Sequence, residues 1–252
     1  MTPSFTDLTT IKVGGPISHL HEISQRRELT KRAREVFSSG EAWMVLGGGS
    51  NLVVSDEGFD GHVFHMATKG KKVTPQKDGS ILLTAQAGEN WDDLVAYTVK
   101  EGLQGLESLS GIPGLVGASV IQNIGAYGYD VSAAIEHVEL LEYPTGSIRI
   151  VGASELQLGL RTSALRTGDL HGIVLSVTFR LAQSQSALPI AYQQVADALD
   201  LDLGAVVPLR LLRKTVLALR STKGMVLDES DLDSRSCGSF FINPVVSERF
   251  SY

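Results

Sequence analysis

The stretch Gly105-Leu-Glu-Ser-Leu-Ser-Gly111-Ile112-Pro113-Gly114-Leu-Val-Gly117-Ala118-Ser119-Val-Ile-Gln122-Asn123-Ile-Gly125-Ala126-Tyr127-Gly128 carries six glycines and a single charge, Glu107. An irregular run this long and this uncharged is unusual unless it wraps a ligand. The small residues Gly114, Gly117 and Ala118 allow a flat or charged group to approach the backbone closely. The competing reading is a tightly packed, glycine-rich crossover in the core.

A second cluster lies upstream, Leu46-Gly47-Gly48-Gly49-Ser50-Asn51, directly after the candidate strand Ala42–Leu46. Three consecutive glycines let the backbone turn so that several N–H groups face one concavity. Such a nest suits an anion, typically a pyrophosphate. Ser50 and Asn51 add polar contacts. A flexible connection between strands is the plainer alternative. The pattern is not G-x-G-x-x-G and no helix follows at once, which disfavours a dinucleotide fold of the Rossmann type.

The rest of the chain provides the frame. Helical spacing predicts Arg27–Ser38, with Leu29, Ala33, Val36 and Phe37 on one face;. A second helix runs from Asn90 as N-cap to Glu101, with Asp92 and Asp93 in its first turn and Gly102 as the stop;. Tyr192–Leu201 and Pro208–Leu219 follow. Candidate strands are Ala42–Leu46, His62–Met66, Ile81–Ala87 and Gly172–Leu181, the last alternating through Val174, Ser176, Thr178 and Arg180. Ile135–Tyr143 and Ser147–Val151 form a hairpin closed by Pro144-Thr145-Gly146;. The polar segment Ala182–Ala187 separates a strand-rich front from a helix-rich back. The class is α+β, with two sheet-bearing units before that segment.

Composition excludes several functions. The 252 residues carry 22 basic and 28 acidic side chains, a net charge of −6. An acidic chain without a basic stripe is a poor nucleic-acid binder. No apolar run approaches a membrane span, and Met1–Thr10 is polar, so the cytoplasm is the expected location. One cysteine, Cys237, excludes a disulfide framework and a cysteine-based zinc site;. His19 and His21, and His62 and His65, lack obvious partners for a metal. Cys237 lies two residues from Ser239, with no histidine near it in sequence. Trp43 and Trp91 read as core or boundary residues.

In this order the motifs resemble the UDP-N-acetylenolpyruvoylglucosamine reductase (MurB) family. The resemblance rests on Gly47–Asn51, on Gly105-Leu-Glu-x-Leu with Ile112-Pro113-Gly114-x-Val-Gly117, and on Gln122–Gly128. Thr10-x-x-x-Gly14-Gly15, Ala87-Gly88-Glu89-Asn90-Trp91 and Gly238-Ser239-Phe240-Phe241-x-Asn243-Pro244 support it. It covers the chain from about Thr9 to Val246. It implies a bipartite FAD-binding domain of the p-cresol methylhydroxylase type and part of an α+β substrate-binding domain. Residues 1–66 and 67–182 would be the two flavin subdomains and residues 183–252 the incomplete third unit. It also implies reduction of UDP-N-acetylglucosamine enolpyruvate to UDP-N-acetylmuramate with FAD and NADPH. That step belongs to peptidoglycan synthesis and so to cell-wall growth, shape and division. The protein would act as a monomer on a UDP-sugar.

By resemblance, FAD is held by Gly47, Gly48, Gly49, Ser50, Asn51, Gly111, Ile112, Pro113, Gly114, Gly117, Ala118, Ser119, Gln122, Asn123, Gly125, Ala126 and Tyr127. Arg161, in Gly159-Leu160-Arg161-Thr162-Ser163, matches the catalytic arginine. The family usually has Tyr where this chain has Leu160. Ser239 matches the proton donor, a role that needs a dry site, which Phe240 and Phe241 would help to close. Tyr192 matches a lid tyrosine, and Arg220, Lys223 and Asn243 match substrate contacts. Arg210, Arg213, Lys214, Arg220 and Lys223 would concentrate positive charge for an anionic substrate; a solvated helix face is the alternative. The family continues past the Phe-Phe-x-Asn-Pro segment to a glutamate that has no counterpart before Tyr252. The expectation is a reductase lacking its C-terminal part. The alternatives are an FAD-binding fragment without turnover and, less favoured, a flavin oxidase of the same fold.

Overall fold

The computed structural model describes residues 2–239 and residue 241. After a single-turn helix α1 (Phe5–Leu8), β1 (Ile17–Ile23), α2 (Arg26–Ser39), β2 (Trp43–Leu46) and β3 (Phe59–Met66) build a three-stranded sheet in the order β1-β3-β2. Both pairings are parallel. The long connections that parallel strands require are here α2 and the glycine-bearing segment between β2 and β3. Leu29, Ala33, Val36 and Phe37 of α2 are buried, and Gly40 ends the helix at φ 74° in the left-handed region;.

The second sheet is antiparallel. It contains β4 (Lys71–Pro75), β5 (Ser80–Gln86), β6 (Leu103–Gln104), β9 (Ile135–Glu142), β10 (Ile148–Gly152) and β11 (Gly172–Gln183), in the order β10-β9-β11-β5-β4 with β6 against the end of β11. Helix α3 (Trp91–Glu101) follows β5. The Asn90 side chain accepts the Asp93 amide at 3.0 Å, and Gly102 terminates the helix at φ 69°;. Both caps agree with the sequence reading. The Gly105–Gly128 stretch is more ordered than a loop. It holds a short helix α4 (Val116–Ser119) and leads into a two-residue ribbon, β7 (Gly125–Ala126) with β8 (Tyr129–Asp130). Helix α5 (Ala164–Thr167) precedes β11. Among the described residues the back half adds only α6 (Gln193–Leu199), α7 (Leu209–Ser221) and a 3₁₀ turn.

One core joins the sheets. Ile23, Phe64, Met66 and the apolar face of α2 belong to the same buried cluster as Leu83, Val138, Phe179 and Trp91. Polar and aromatic contacts tie the same joint. Arg26 at the start of α2 pairs with Glu139 of β9 at 2.6 and 2.9 Å. Trp43 stacks on His171 at 5.1 Å and Phe37 meets Tyr143 edge-on. A smaller cluster packs Val195, Leu209, Leu212 and Val216 of the back half against Val99 of α3.

Three departures have physical reasons. Alternation on β11 predicted a half-exposed strand, but Ser176 and Thr178 are buried. The strand is central, between β9 and β5, and the two hydroxyls are satisfied by Glu139 at 2.5 Å and Thr84 at 2.8 Å;. β4 escapes a periodicity reading because it is an edge strand of Lys71, Lys72 and Pro75, a composition that discourages edge-to-edge pairing;. β1 escapes it because His19, His21 and Glu22 interrupt its apolar pattern. No described helix is long and apolar enough to cross a membrane.

The histidines that hide β1 make a cluster on the sheet. His62 stacks on His19 and His21 with centroids 4.7 and 5.1 Å away, and His21 Nε2 lies 2.8 Å from His62 Nδ1. Burial, then the neighbouring His62, Arg32 and His19, push His21 below its ordinary value, against Glu28. Burial does the same to His65, against Glu22. The unfolded chain therefore takes protons first as pH falls below about 6.5, so acid lowers stability through these groups. The double variant His21→Gln/His65→Gln should lose less melting temperature than the parent between about pH 7 and pH 5. An equal acid loss in both proteins would remove these histidines from the account.

Candidate active site

The two glycine clusters meet back to back. A Cβ on Gly48 would stand 3.1 Å from the Gly114 Cα, and one on Gly47 would stand 3.5 Å from Ala118 Cβ. Ser50 Oγ donates to the Pro113 carbonyl at 3.3 Å, and Asn51 Nδ2 donates to Gln122 Oε1 at 3.1 Å. The seam opens into a cleft of about 780 Å³. Its walls include Gly47–Asn51, Ile112, Pro113, Ala118, Ser119 and Gln122–Asp130. Arg161, Arg220, Cys237 and Ser239 also line it. Residues up to 194 positions apart in sequence, Val45 and Ser239, thus share one cavity.

Several glycines of these clusters are required by packing, whether or not they also line the cavity. A Cβ on Gly117 would fall 2.6 Å from Ala87 Cβ, and one on Gly49 would fall 2.1 Å from the Leu8 carbonyl oxygen. Gly111, at φ 73°, faces Leu217 and Arg220 of α7. Gly111, Gly114 and Gly117 are absent from the cleft lining. Closeness between elements is by itself enough to require glycine at Gly111 and Gly117;.

The far wall is held by backbone in unusual conformations. Asn123, Tyr127 and Arg161 all have positive φ, at 49°, 52° and 51°. Such values are uncommon outside glycine and cluster at functional sites. Asn123 bridges Gly159 O at 3.0 Å and the Ser132 amide at 3.0 Å. Ser163 Oγ donates to Ile121 O at 2.6 Å. Arg166, which the sequence reading missed, donates to Arg161 O at 2.8 Å and braces that turn. Arg161 Nη1 donates to the Phe241 carbonyl at 3.1 Å.

Arg220 is the charged group of the interior. It is 8% exposed; its Nη2 donates to Met225 O at 2.9 Å, and its Nε has no partner. Burial pulls the guanidinium below its ordinary value, against Tyr127 and Asp92, while burial raises the Tyr127 phenol against Arg220. Of the basic run, Arg213 is taken up by Asp92, and Arg210, Lys214 and Lys223 are exposed. Of the basic run only Arg220 reaches the cleft, where Arg161 and Arg166 join it.

Other expected contacts lie elsewhere. Tyr192 does not line the cleft; its ring meets Tyr127 edge-on at 5.6 Å. Lys223 Nζ donates to Gln194 Oε1 at 2.7 Å, outside the lining. Ser239 lines the cleft but is exposed, and Phe241 is 84% exposed, so the described residues do not give Ser239 the dry surroundings expected of it. Phe240 and Asn243 lie outside the described residues. Among the described residues no group of His, Cys, Asp and Glu is arranged to hold a metal ion.

A family model for an FAD binding domain matches residues 18–152, which carry the parallel sheet, the first glycine cluster and most of the antiparallel sheet. A UDP-N-acetylenolpyruvoylglucosamine reductase of Leifsonia xyli is 49% identical over 98% of the chain. The chain belongs to the UDP-N-acetylenolpyruvoylglucosamine reductase family. A second such reductase, from Saccharopolyspora erythraea, is 48% identical over 94% of the chain. The chain spans 67% and 65% of the lengths of these two relatives. The crystal structure of the MurB reductase from Thermus caldophilus superposes with a TM-score of 0.67 at 28% identity, covering 97% of this chain and 74% of that one. A cholesterol oxidase shares the fold at a TM-score of 0.53 and 13% identity. The bipartite flavin fold of the p-cresol methylhydroxylase type is thus the fold of this member of the MurB family.

The two kinds of glycine separate experimentally. Gly117→Ala forces Ala87 and its backbone to move and should cost about 1–3 kcal/mol, read by denaturant unfolding. Gly47→Ala meets only ordinary contacts and should leave stability within about 0.5 kcal/mol while narrowing the cleft. Equal losses in both variants would contradict the assignment.

Proposed function

We propose that the chain is the flavin-holding part of a reductase that converts UDP-N-acetylglucosamine enolpyruvate to UDP-N-acetylmuramate, with NADPH as the source of electrons. The observation that carries the proposal is the convergence of both glycine clusters with Arg161, Arg220 and Ser239 on one cleft. The cleft suits FAD on two counts: the Gly48–Gly114 seam presents bare backbone, and the buried Arg220 lacks a counter-charge that an anionic ligand would supply;. Gly47–Asn51, Ile112, Pro113, Gly114, Ala118, Ser119 and Gln122–Tyr127 would hold the cofactor together with Arg220, which the sequence resemblance assigns to the substrate; Tyr192, Lys223 and Asn243 would act on the substrate side.

FAD, when bound, supplies the hydride for the enolpyruvyl double bond. The remaining work falls to the protein. Addition at the vinyl carbon leaves negative charge beside the substrate carboxylate. Arg161 would stabilise that charge with paired hydrogen bonds from a planar guanidinium. Ser239 would deliver the proton that completes the reduced side chain, within reach of the adjacent carbon. Both chemistries are favoured when water is excluded, so the site would have to close over Ser239 during turnover. The reading places the enzyme in the cytoplasm, at a step of peptidoglycan precursor synthesis, as a monomer acting on sugar nucleotides.

The exposure of Ser239 and of Phe241 favours a second reading, in which these 252 residues hold FAD without turnover of their own. Titration with FAD should give a yellow protein with quenched flavin fluorescence under either reading; a chain that stays colourless refutes both. NADPH oxidation that depends on the enolpyruvyl sugar nucleotide selects the first. In an active protein, Ser239→Ala should leave flavin reduction by NADPH intact and abolish product formation. Arg161→Ala should lower kcat by about 10²–10³. Equal damage to both half-reactions by Ser239→Ala would make that serine structural.

A further inference from the structure

Helix α7 lays one side against the Gly105–Gly128 stretch. A side chain at Gly111 would meet Leu217 Cδ2 at 2.8 Å and Arg220 Cδ and Nε at 3.3 Å. About two turns earlier on the same helix, Arg213 makes a paired contact with Asp92 of α3, Nη1 to Oδ1 at 2.6 Å and Nη2 to Oδ2 at 2.8 Å;. Asp92 Oδ1 also accepts the Gly111 amide at 2.6 Å. One carboxylate therefore fixes the loop to the helix, and both of its oxygens accept hydrogen bonds in doing so.

Asp92 and Tyr127 are the groups that act electrostatically on Arg220. A buried guanidinium near a carboxylate ordinarily pairs with it, because a desolvated charge without a partner is costly. Arg220 does not. Its Nε remains unpartnered inside the protein, and Arg213 holds the carboxylate instead. A first-turn aspartate needs no such partner to serve its helix, since the helix dipole already favours it there.

We propose that Arg213 is a positioning residue that occupies Asp92, so that Arg220 stays unpaired and takes an anionic group of the ligand that enters the cleft. The identity of that anion, a phosphate of FAD, rests on the flavoenzyme reading; the competition between the two arginines for Asp92 does not. The design leaves the deep cation of the cleft available although Gly111, which adjoins it, is bonded to a carboxylate.

Arg213→Met removes the guanidinium while keeping most of the side-chain length and frees Asp92 to pair with Arg220. FAD affinity, read by quenching of flavin fluorescence, should weaken by about tenfold. Adding Asp92→Asn to that chain removes the competing charge and keeps an acceptor for the Gly111 amide, so affinity should return to within about threefold of the parent. A merely structural ion pair predicts the opposite order, with the double variant no better than Arg213→Met, and that result overturns the proposal. Arg213→Lys, which keeps the charge and loses the second hydrogen bond, gives the same comparison at smaller amplitude where Arg213→Met does not fold. A readout without ligand separates this proposal from the flavin reading. The ¹⁵N-edited Nε–H signal of Arg220, identified by its loss in Arg220→Lys, should shift and exchange more slowly in Arg213→Met and revert on adding Asp92→Asn. If the parent takes up no FAD, the flavin reading fails while this signal still decides the pairing; a signal unchanged in Arg213→Met refutes the proposal.

Discussion

The backbone contact between Gly48 and Gly114 is the constraint on which the cleft depends. The first glycine lies after β2 of the parallel sheet and the second lies before α4 of the antiparallel unit. Any Cβ on Gly48 would stand 3.1 Å from the opposing Cα, closer than side chains normally pack. Two loops that approach this closely expose amides and carbonyls along a shared edge rather than side chains. Such an edge suits an anionic or flat ligand, because backbone N–H groups are fixed donors that require no rotamer to be frozen. The same closeness obliges neighbouring positions to be small for reasons unrelated to a ligand. Gly117 makes room for Ala87, and Gly49 makes room for the Leu8 carbonyl.

That division explains how much of the site was legible in the sequence. The glycine density marked both loops, and the family motifs placed Arg161 and Ser239, because local composition and order are what a sequence displays. Which glycines face the cavity depends on the direction of each Cβ vector, and no spacing rule reports that. The helices were legible through their caps: Asn90, Gly102 and Gly40 act on adjacent backbone and carry their meaning locally. β1 and β4 were not, since His19, His21, Lys71 and Lys72 obey their positions in the sheets rather than an apolar period. Ser176 and Thr178 misled the reading of β11 for a related reason. Their polarity is satisfied by Glu139 and Thr84 across the sheet, from partners 37 and 94 residues away.

The charge of the cleft follows a similar logic. A net charge of −6 argues against binding anions over the surface as a whole. A run of five basic residues in α7 and just after it seemed to offset this locally. The fold spends most of that run elsewhere: Arg213 on Asp92, Lys223 on Gln194. What reaches the cavity is Arg220, buried, together with Arg161 on its strained turn and Arg166 bracing it. A buried cation interacts more strongly than several exposed ones, since the solvent that would screen it is absent. The deep charge of the binding site is thus one desolvated guanidinium, whatever the count of basic residues in the run.

Arg161 and Ser239 stand in a different condition from Arg220, and the contrast bears on catalysis. The interior guanidinium and the two glycine loops are fixed by hydrogen bonds within residues 2–239. Ser239, the proposed proton donor, lines the same cavity from an exposed segment, and Phe241 two residues on is 84% exposed. A cofactor has to be held throughout a catalytic cycle, so a rigid seam suits it. A serine hydroxyl gives up a proton only where water cannot compete for the carbanion. It follows that binding and protonation make opposite demands on rigidity. The fold meets the first with packed backbone around Gly48 and Gly114, and under the proposed function the second requires water to be excluded from Ser239 once substrate is bound.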